Sequence, residues 1–260
     1  MTALTMDHYL FSAETAGEIS ILTFKKMPLL HVTDLKAKEA LFDYLKLISS
    51  HDDIKVLLIK SSPLKMERTE YISYYRKMIV SDIDRISLER MHNAVNQFIF
   101  QLVNLNKTVV HVDSGNVILL FMNIGLACDH RIVADNTVYQ NPDIELDVVP
   151  KGGSVFFLSK MLGTVTASRI LLSGEDVTAV QAHQMGIVDK VVPLEDLDRI
   201  ALETAQGYAR LPSGYSIGIK KLFNFYRKEL GPYLKFETEL LHRQVISCNL
   251  HDFGILDENL

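Results

Sequence analysis

The chain is poor in cysteine: only Cys128 and Cys248 occur among its 260 residues. They lie far apart and fit neither a metal-ligand spacing nor a disulfide framework, so a reducing, cytoplasmic setting is the expectation. It also lacks a basic excess. Lysine and arginine number 27 against 32 aspartates and glutamates, a net charge of -5. A nucleic-acid partner would call for a clustered basic face. Long apolar runs are missing as well. The longest, VILLFMNIGLAC at 117–128, falls short of the roughly 20 residues that cross a bilayer and contains Asn123 and Gly125. It predicts a buried helix, and no membrane partner is expected. The opening MTALTMDHYLF has no basic segment followed by an apolar stretch, so a signal peptide is not expected. There is no P-loop, GxGxxG turn, nucleophile elbow or HExxH, and the nine histidines do not cluster at ligand spacing. No metal is expected.

What is present alternates between strand and helix. ISILTFK (19–25), IKVLLIK (54–60), TVVHV (108–112), RIVAD (131–135) and IVDKVV (187–192) read as strands, and VYQ and LDVV as short extended pieces. Thr33 and Asp34 offer caps to the helix DLKAKEALFDYLKLIS. SSPLKMERTEY (61–71) reads as a loop, followed by helices through about residue 105. GGSVFFLSKML, VTASRILLSG and TAVQAHQMG read as further helices, and Pro193 as the opening of another. Alternation of this kind predicts an α/β protein with a largely parallel sheet and crossover helices. After about residue 195 the strand patterns stop, which predicts a helical C-terminal region. Neither low-complexity sequence nor a Gly/Ser linker divides the chain.

Three stretches resemble the crotonase superfamily, the enoyl-CoA hydratase/isomerase family. LACDHRIVAD resembles its "ACD-RIA" segment and YQNPDIELDVVPKGG its "FGQPE-LG-IPG-GG" segment. LLSGEDVTAVQAHQMGIVDKVVP resembles its "LLTG-ISA-EA--GLV--VVP" segment. The resemblance is firmest over residues 107–193. It implies the ClpP/crotonase-like fold, a spiral of ββα units over residues 1–195, with a helical trimerisation region over 196–260. It also implies a homotrimer or dimer of trimers. The implied partner is an acyl-CoA or acyl-carrier thioester, with CoA entering as part of the substrate and no separate cofactor. The thioester oxygen would rest in an oxyanion hole of two backbone N–H groups.

The departures from the family's pattern are informative. Leu119, Leu120 and Phe121 stand where the family carries glycines, and Asn123 stands at its first catalytic glutamate. The resemblance gives one oxyanion donor as the Leu120 N–H. The other falls near Lys65 or Met66, in a loop without the family's "F-AG-D" signature. Asp143 falls on the second catalytic carboxylate. An amide cannot exchange a proton near neutral pH, so a reaction needing two acids is disfavoured. A single-carboxylate isomerase or decarboxylase-like lyase is the leading expectation. A catalytically degenerate binding or assembly subunit is the alternative, and a weak hydratase the lesser one. Asp143 also has a simpler reading, a turn acid after Pro142 satisfied by local backbone N–H groups. Lys25 and Lys26 follow the first strand, where the family meets CoA phosphates; the alternative is a solvated strand end. His111 reads as a satisfied core histidine and Tyr139 as a packing residue. In HDFGILDENL only Gly254 and Ile255 match the family's "REG" segment.

Overall fold

The structure is a computed structural model that describes residues 4–26, 28, 34–62, 65–80 and 82–247. Cys248, Gly254, Ile255 and the cap candidate Thr33 lie outside the described residues. Ten strands are described: β1 (Met6–Asp7), β2 (Phe11–Ala16), β3 (Ile19–Phe24), β4 (Val56–Lys60), β5 (Thr108–Asp113), β6 (Asn116–Ile118), β7 (His130–Ala134), β8 (Val138–Gln140), β9 (Val177–Thr178) and β10 (Lys190–Val192). The larger sheet has the order β1-β2-β3-β4-β5-β7-β10. From β3 to β10 its neighbours are parallel, as the alternating pattern predicts. The hairpin β1-β2-β3 is antiparallel. The first two strands were not legible in the sequence, because Glu14, Thr15 and Ala16 leave β2 without a clean apolar alternation. A second small sheet joins β6, β8 and β9.

The helices among the described residues are α1 (Leu35–Ser50), α2 (Arg68–Val80), α3 (Asp82–Asn104), α4 (Leu119–Leu126), α5 (Ser154–Leu162), α6 (Thr164–Ser173), α7 (Ala179–Met185), α8 (Leu197–Ala209), α9 (Ser213–Tyr226) and α10 (Leu230–Ser247). Asp34 caps α1, its carboxylate accepting from the Lys36 N–H at 2.9 Å. No described helix is long and apolar enough to cross a membrane.

Successive strand residues face opposite sides of a sheet, and β4 shows what this does to the core. Val56 and Leu58 join one apolar cluster with Val110, Ile132 and the alanines 201, 205 and 209 of α8. Leu57 and Ile59 join a larger cluster on the other face, with α1, α2, α3, α4 and α10. Alanines four residues apart put one small face of α8 against the sheet. This leaves the larger side chains to the face that carries the candidate site.

Two expected elements shift. The apolar run at 117–128 does not start as helix: Val117 and Ile118 finish β6, and α4 begins at Leu119. β-branched Val117 and Ile118 fit a pleated ladder with β8. LDVV is not extended either. Residues Pro142–Leu146 form a 3₁₀ turn that ends on Asp147 in the left-handed region, φ 52°. Pro193 likewise precedes a short 3₁₀ turn, Leu194–Asp196, before α8. A proline that fixes φ suits either start, so the sequence does not separate them.

Candidate active site

Asp143 is carried by the 3₁₀ turn that follows β8, and α2 packs against that turn. Pro142 opens the turn, and Asp147 closes it by letting the Val148 N–H reach back to the Asp143 carbonyl at 3.2 Å. The carboxylate is 3% exposed. Its recorded partner is not local backbone, as a turn acid would have it. The Tyr71 hydroxyl, from α2, donates to Oδ1 at 3.0 Å. Burial raises the Asp143 carboxyl to about 7, with the charge of Glu237 adding to the rise and the Tyr71 hydrogen bond opposing it. Asp143 therefore stands near half-ionised at neutral pH. Tyr71 itself is held protonated, its hydroxyl pushed well above the ordinary range by burial and by the neighbouring Asp143.

Asn123 is fully buried on α4. Its Nδ2 donates to the Lys151 carbonyl at 2.9 Å and to Ser154 Oγ at 2.6 Å. The carbonyl can only accept, so it fixes which end of the amide faces it. Oδ1 is left buried without a partner. An unpaired buried acceptor is costly in a packed core, and a donor brought in by a ligand would satisfy it.

Lys151, Gly152 and Gly153 lead into α5 and form a second polar cluster. Lys151 Nζ pairs with Glu237 Oε1 of α10 at 2.9 Å and donates to Asn96 Oδ1 and Thr238 Oγ1 at 2.5 and 2.9 Å. Glu237 also accepts from the N–H groups of Gly152 and Gly153, both at 2.8 Å. One carboxylate thus meets a cation and two backbone donors beside the start of α5, where the helix dipole favours negative charge. Both glycines have positive φ, 98° and 86°. A Cβ on Gly152 would lie 3.2 Å from Ile99 Cδ1 and 3.3 Å from Asn123 Cβ, so this turn has room only for glycine beside Asn123.

A small cavity of about 40 Å³ lies at the carboxyl ends of β3, β4 and β5. Phe24, Phe42, Phe98, Phe121 and Ile124 form its apolar wall, and Ser61, Ser62, Lys65 and His111 its polar one. That volume suits a few waters and is smaller than any acyl thioester. Neither Asp143 nor Asn123 lines it. His111 is buried, held at about 4 by desolvation and hence neutral, with Nε2 3.3 Å from Ser61 Oγ. Lys65 is anchored at the cavity edge by Asp113 at 2.5 Å and the Ser114 carbonyl at 2.6 Å.

The family profile for enoyl-CoA hydratase/isomerase matches residues 85–248, more than half of the chain. The chain belongs to the enoyl-CoA hydratase/isomerase family. Among curated relatives, trans-2-decenoyl-[acyl-carrier-protein] isomerase of Streptococcus mutans is 26% identical over 70% of this chain and 69% of its own. A probable mitochondrial enoyl-CoA hydratase of Dictyostelium discoideum is 22% identical over 89% and 81%. Among solved structures, an enoyl-CoA hydratase from Mycobacterium avium subsp. paratuberculosis superposes with a TM-score of 0.79 at 17% identity, covering 95% of this chain and 98% of that one. One from Bacillus halodurans gives 0.77 at 17%, covering 91% and 95%. The fold is the crotonase fold.

Within this family frame, the residues singled out in the sequence divide into two groups. Leu120, Asn123 and Asp143 are all buried, Leu120 within the larger core cluster. The Leu120 N–H belongs to the first turn of α4, whose N-cap Ile118 offers no side-chain acceptor. Met66 lies just before α2 with its side chain 2% exposed. Lys25 directly follows β3 and pairs with Asp7, while Lys26 is exposed. Tyr139 is buried in the core, as expected. Sequence reasoning missed Tyr71, Lys151 and Glu237. Two tyrosines four apart in RTEYISYY and a lysine inside PKGG were visible, but nothing local says that helices α2 and α10 fold over the acid.

The raised carboxyl has a consequence for stability. The unfolded chain ionises Asp143 near 3.8 and the folded one near 7. Between those values the folded state holds the extra proton, so stability falls as pH rises through this window and levels off above it. Asp143→Asn removes that loss. We expect the variant to melt above the wild type at pH 8, by up to about 4 kcal/mol, with the gap closing towards pH 4. Equal melting of the two at pH 8 would show that the carboxyl is not held protonated by burial.

Proposed function

We propose that the chain acts on an acyl thioester, carried by CoA or by an acyl carrier, and moves a proton on and off the carbon next to the carbonyl. Asp143 is the acid/base. The observation that carries this reading is its burial under Tyr71 with a carboxyl poised near neutral pH, where a proton-transfer group works best. In an isomerase reaction the ionised carboxylate would remove a γ-proton from a 2-enoyl thioester. The electrons would run into the thioester oxygen as an enolate, and the same carboxyl would return the proton at the α-carbon. In a lyase reaction the bond between the α-carbon and a carboxylate breaks, carbon dioxide departs and leaves its electron pair as a thioester enolate, and protonated Asp143 delivers the proton. Asn123 takes no proton in either case; its free Oδ1 would accept a hydrogen bond from the bound molecule.

Enolate charge needs donors set in place before it appears. The Leu120 N–H at the amino end of α4 is one, supported by the dipole of that helix. Met66, at the entry to α2, would supply the other. Lys25 and Lys26 at the end of β3 would meet CoA phosphates as point charges. A cytoplasmic setting fits this substrate. The decenoyl-carrier isomerase relative favours the isomerase form over hydration.

One observation favours a second reading, a binding or assembly subunit without turnover. Leu119, Leu120 and Phe121 fill space that glycines would leave open, and the cavity beside them is small. The Asp143→Asn protein separates the readings. Under the acid/base reading its turnover of 2- and 3-enoyl-CoA falls by a factor of about 10² to 10⁴, while thioester binding is kept. Wild-type protein inert on every acyl-CoA and acyl-carrier thioester, yet still binding one, would establish the subunit reading.

The homotrimer or dimer of trimers follows the same family reading. α9 supports it, since Leu222, Phe223, Phe225 and Tyr226 are 60–74% exposed on a helix that packs lightly on its own core. Light scattering is expected to give three or six times 29.4 kDa. A monomer at micromolar concentration would refute the assembly.

A further inference from the structure

Asp143 is buried in a turn packed under α2, and a buried acid that changes charge needs a path for its proton. Beside the Tyr71–Asp143 pair lies a second one. Tyr75 follows one turn later on the same face of α2, with its ring 5.4 Å from that of Tyr71. Its hydroxyl stands 2.7 Å from His92 Nε2, on α3. Both side chains are buried, and the Tyr75 hydroxyl feels the charge of Asp143. The His92 ring stacks on that of His242, from α10, with centroids 5.7 Å apart and planes 27° off parallel.

Two nitrogens are left over. His92 Nδ1 and His242 Nε2 are both buried and have no hydrogen-bond partner. They belong to the two stacked rings. The other nitrogen of His242, Nδ1, lies 3.9 Å from Glu89 Oε1, and the Glu89 side chain is 56% exposed. Polar atoms therefore step from the acid to the surface across three helices. Ring packing alone does not call for polar atoms at these two nitrogens, which are costly to bury unpaired. One water between the two nitrogens satisfies both, since each ring can donate or accept there.

We infer that Tyr75, His92 and His242 form a proton path between Asp143 and solvent at Glu89, completed by a water between the two imidazoles. In the proposed path a proton leaving Asp143 passes to Tyr71, a turn of the Tyr71 hydroxyl hands one on to Tyr75, and Tyr75 gives its own to His92 Nε2. His92 releases its Nδ1 proton to the water, the water passes one to His242, and Glu89 or bulk water takes the last. Each relay group gains one proton and loses one, so none changes charge. Desolvation, with Lys151 and His242 nearby, holds His92 neutral, the form that relays by exchanging tautomers. The charged groups facing it, Lys151 and Glu237, are paired with each other and leave the ring free to do so.

The path deepens the acid/base reading of Asp143 and rests on it. A 1,3-proton shift can return its own proton and needs no exit, whereas a lyase must draw one proton from solvent per turnover. The test uses full-length protein with ¹³C-carboxyl aspartate, following the Asp143 resonance near pH 7. Wild type should show one averaged line. His92→Phe and Tyr75→Phe should exchange at least tenfold more slowly and broaden or split it, and His92→Gln, which can accept and donate, should restore it. Amide-exchange protection should be unchanged, which a merely structural role would not predict. His242→Phe serves where His92→Phe does not fold. Wild-type exchange in Tyr75→Phe and in the histidine variant that folds would overturn the path. In D₂O, the isomerisation product formed by His92→Phe should carry less solvent deuterium at retained turnover. Absence of turnover in wild type would remove the acid/base reading, and the carboxyl exchange rates would still decide the path.

Discussion

A carboxylate sealed in an apolar core is the constraint around which this molecule is arranged. Asp143 is desolvated on nearly every side and receives a recorded hydrogen bond from Tyr71. The carboxyl answers by holding its proton to about neutral pH. Helices α2, α3 and α10 bring the surrounding groups: Tyr71 and Tyr75, then Asn96 and His92, then Glu237 and His242. The Lys151–Glu237 pair matters here because it is complete. Its cation, its carboxylate and two backbone N–H groups satisfy each other, so what reaches Asp143 is a residual field and not a competing partner.

The loss of glutamate at position 123 reads differently once the neighbours are known. Asn123 is tied by its nitrogen to the Lys151 carbonyl and to Ser154, which fixes the Gly152–Gly153 turn against α4. The amide is a structural clamp with one free acceptor, and under the proposed acid/base reading the proton chemistry falls to Asp143 alone. Such a division suits a proton shift or a decarboxylation, where one group handles the proton and the oxyanion donors handle the charge. It does not suit the addition of water, where two acids share the work.

Much of the fold was legible in the sequence. Strands β3, β4, β5, β7, β8 and β10 announce themselves as extended runs between helical patterns, whereas β6 and β9 do not, and the match of 171–193 to the family's segment places the later elements in order. Asp143 was singled out by the match of 139–153 to another family segment. Its surroundings were not. Tyr71 is 72 residues away and Glu237 nearly a hundred, and contacts of that range leave no local pattern. The turn itself misled: LDVV looks extended because its valines are β-prone, but Leu146 ends a 3₁₀ turn that begins at Pro142 and Asp147 follows in the left-handed region. The cavity, too, is a matter of how Phe24, Phe42, Phe98 and Phe121 meet, from four separate elements.

The central claim is that this core opens to take a thioester. The aromatic wall must part for that to happen, and a thermal-shift titration with CoA, acetyl-CoA, crotonyl-CoA and decenoyl-CoA reads it directly. A ligand at 100 times its Kd stabilises the folded state by roughly 2.7 kcal/mol, a shift of several degrees at most. The account predicts such a shift with the enoyl thioesters, and a smaller one with free CoA. No shift with any thioester, repeated with acyl-carrier thioesters, would contradict it and leave a closed crotonase fold that binds none of them.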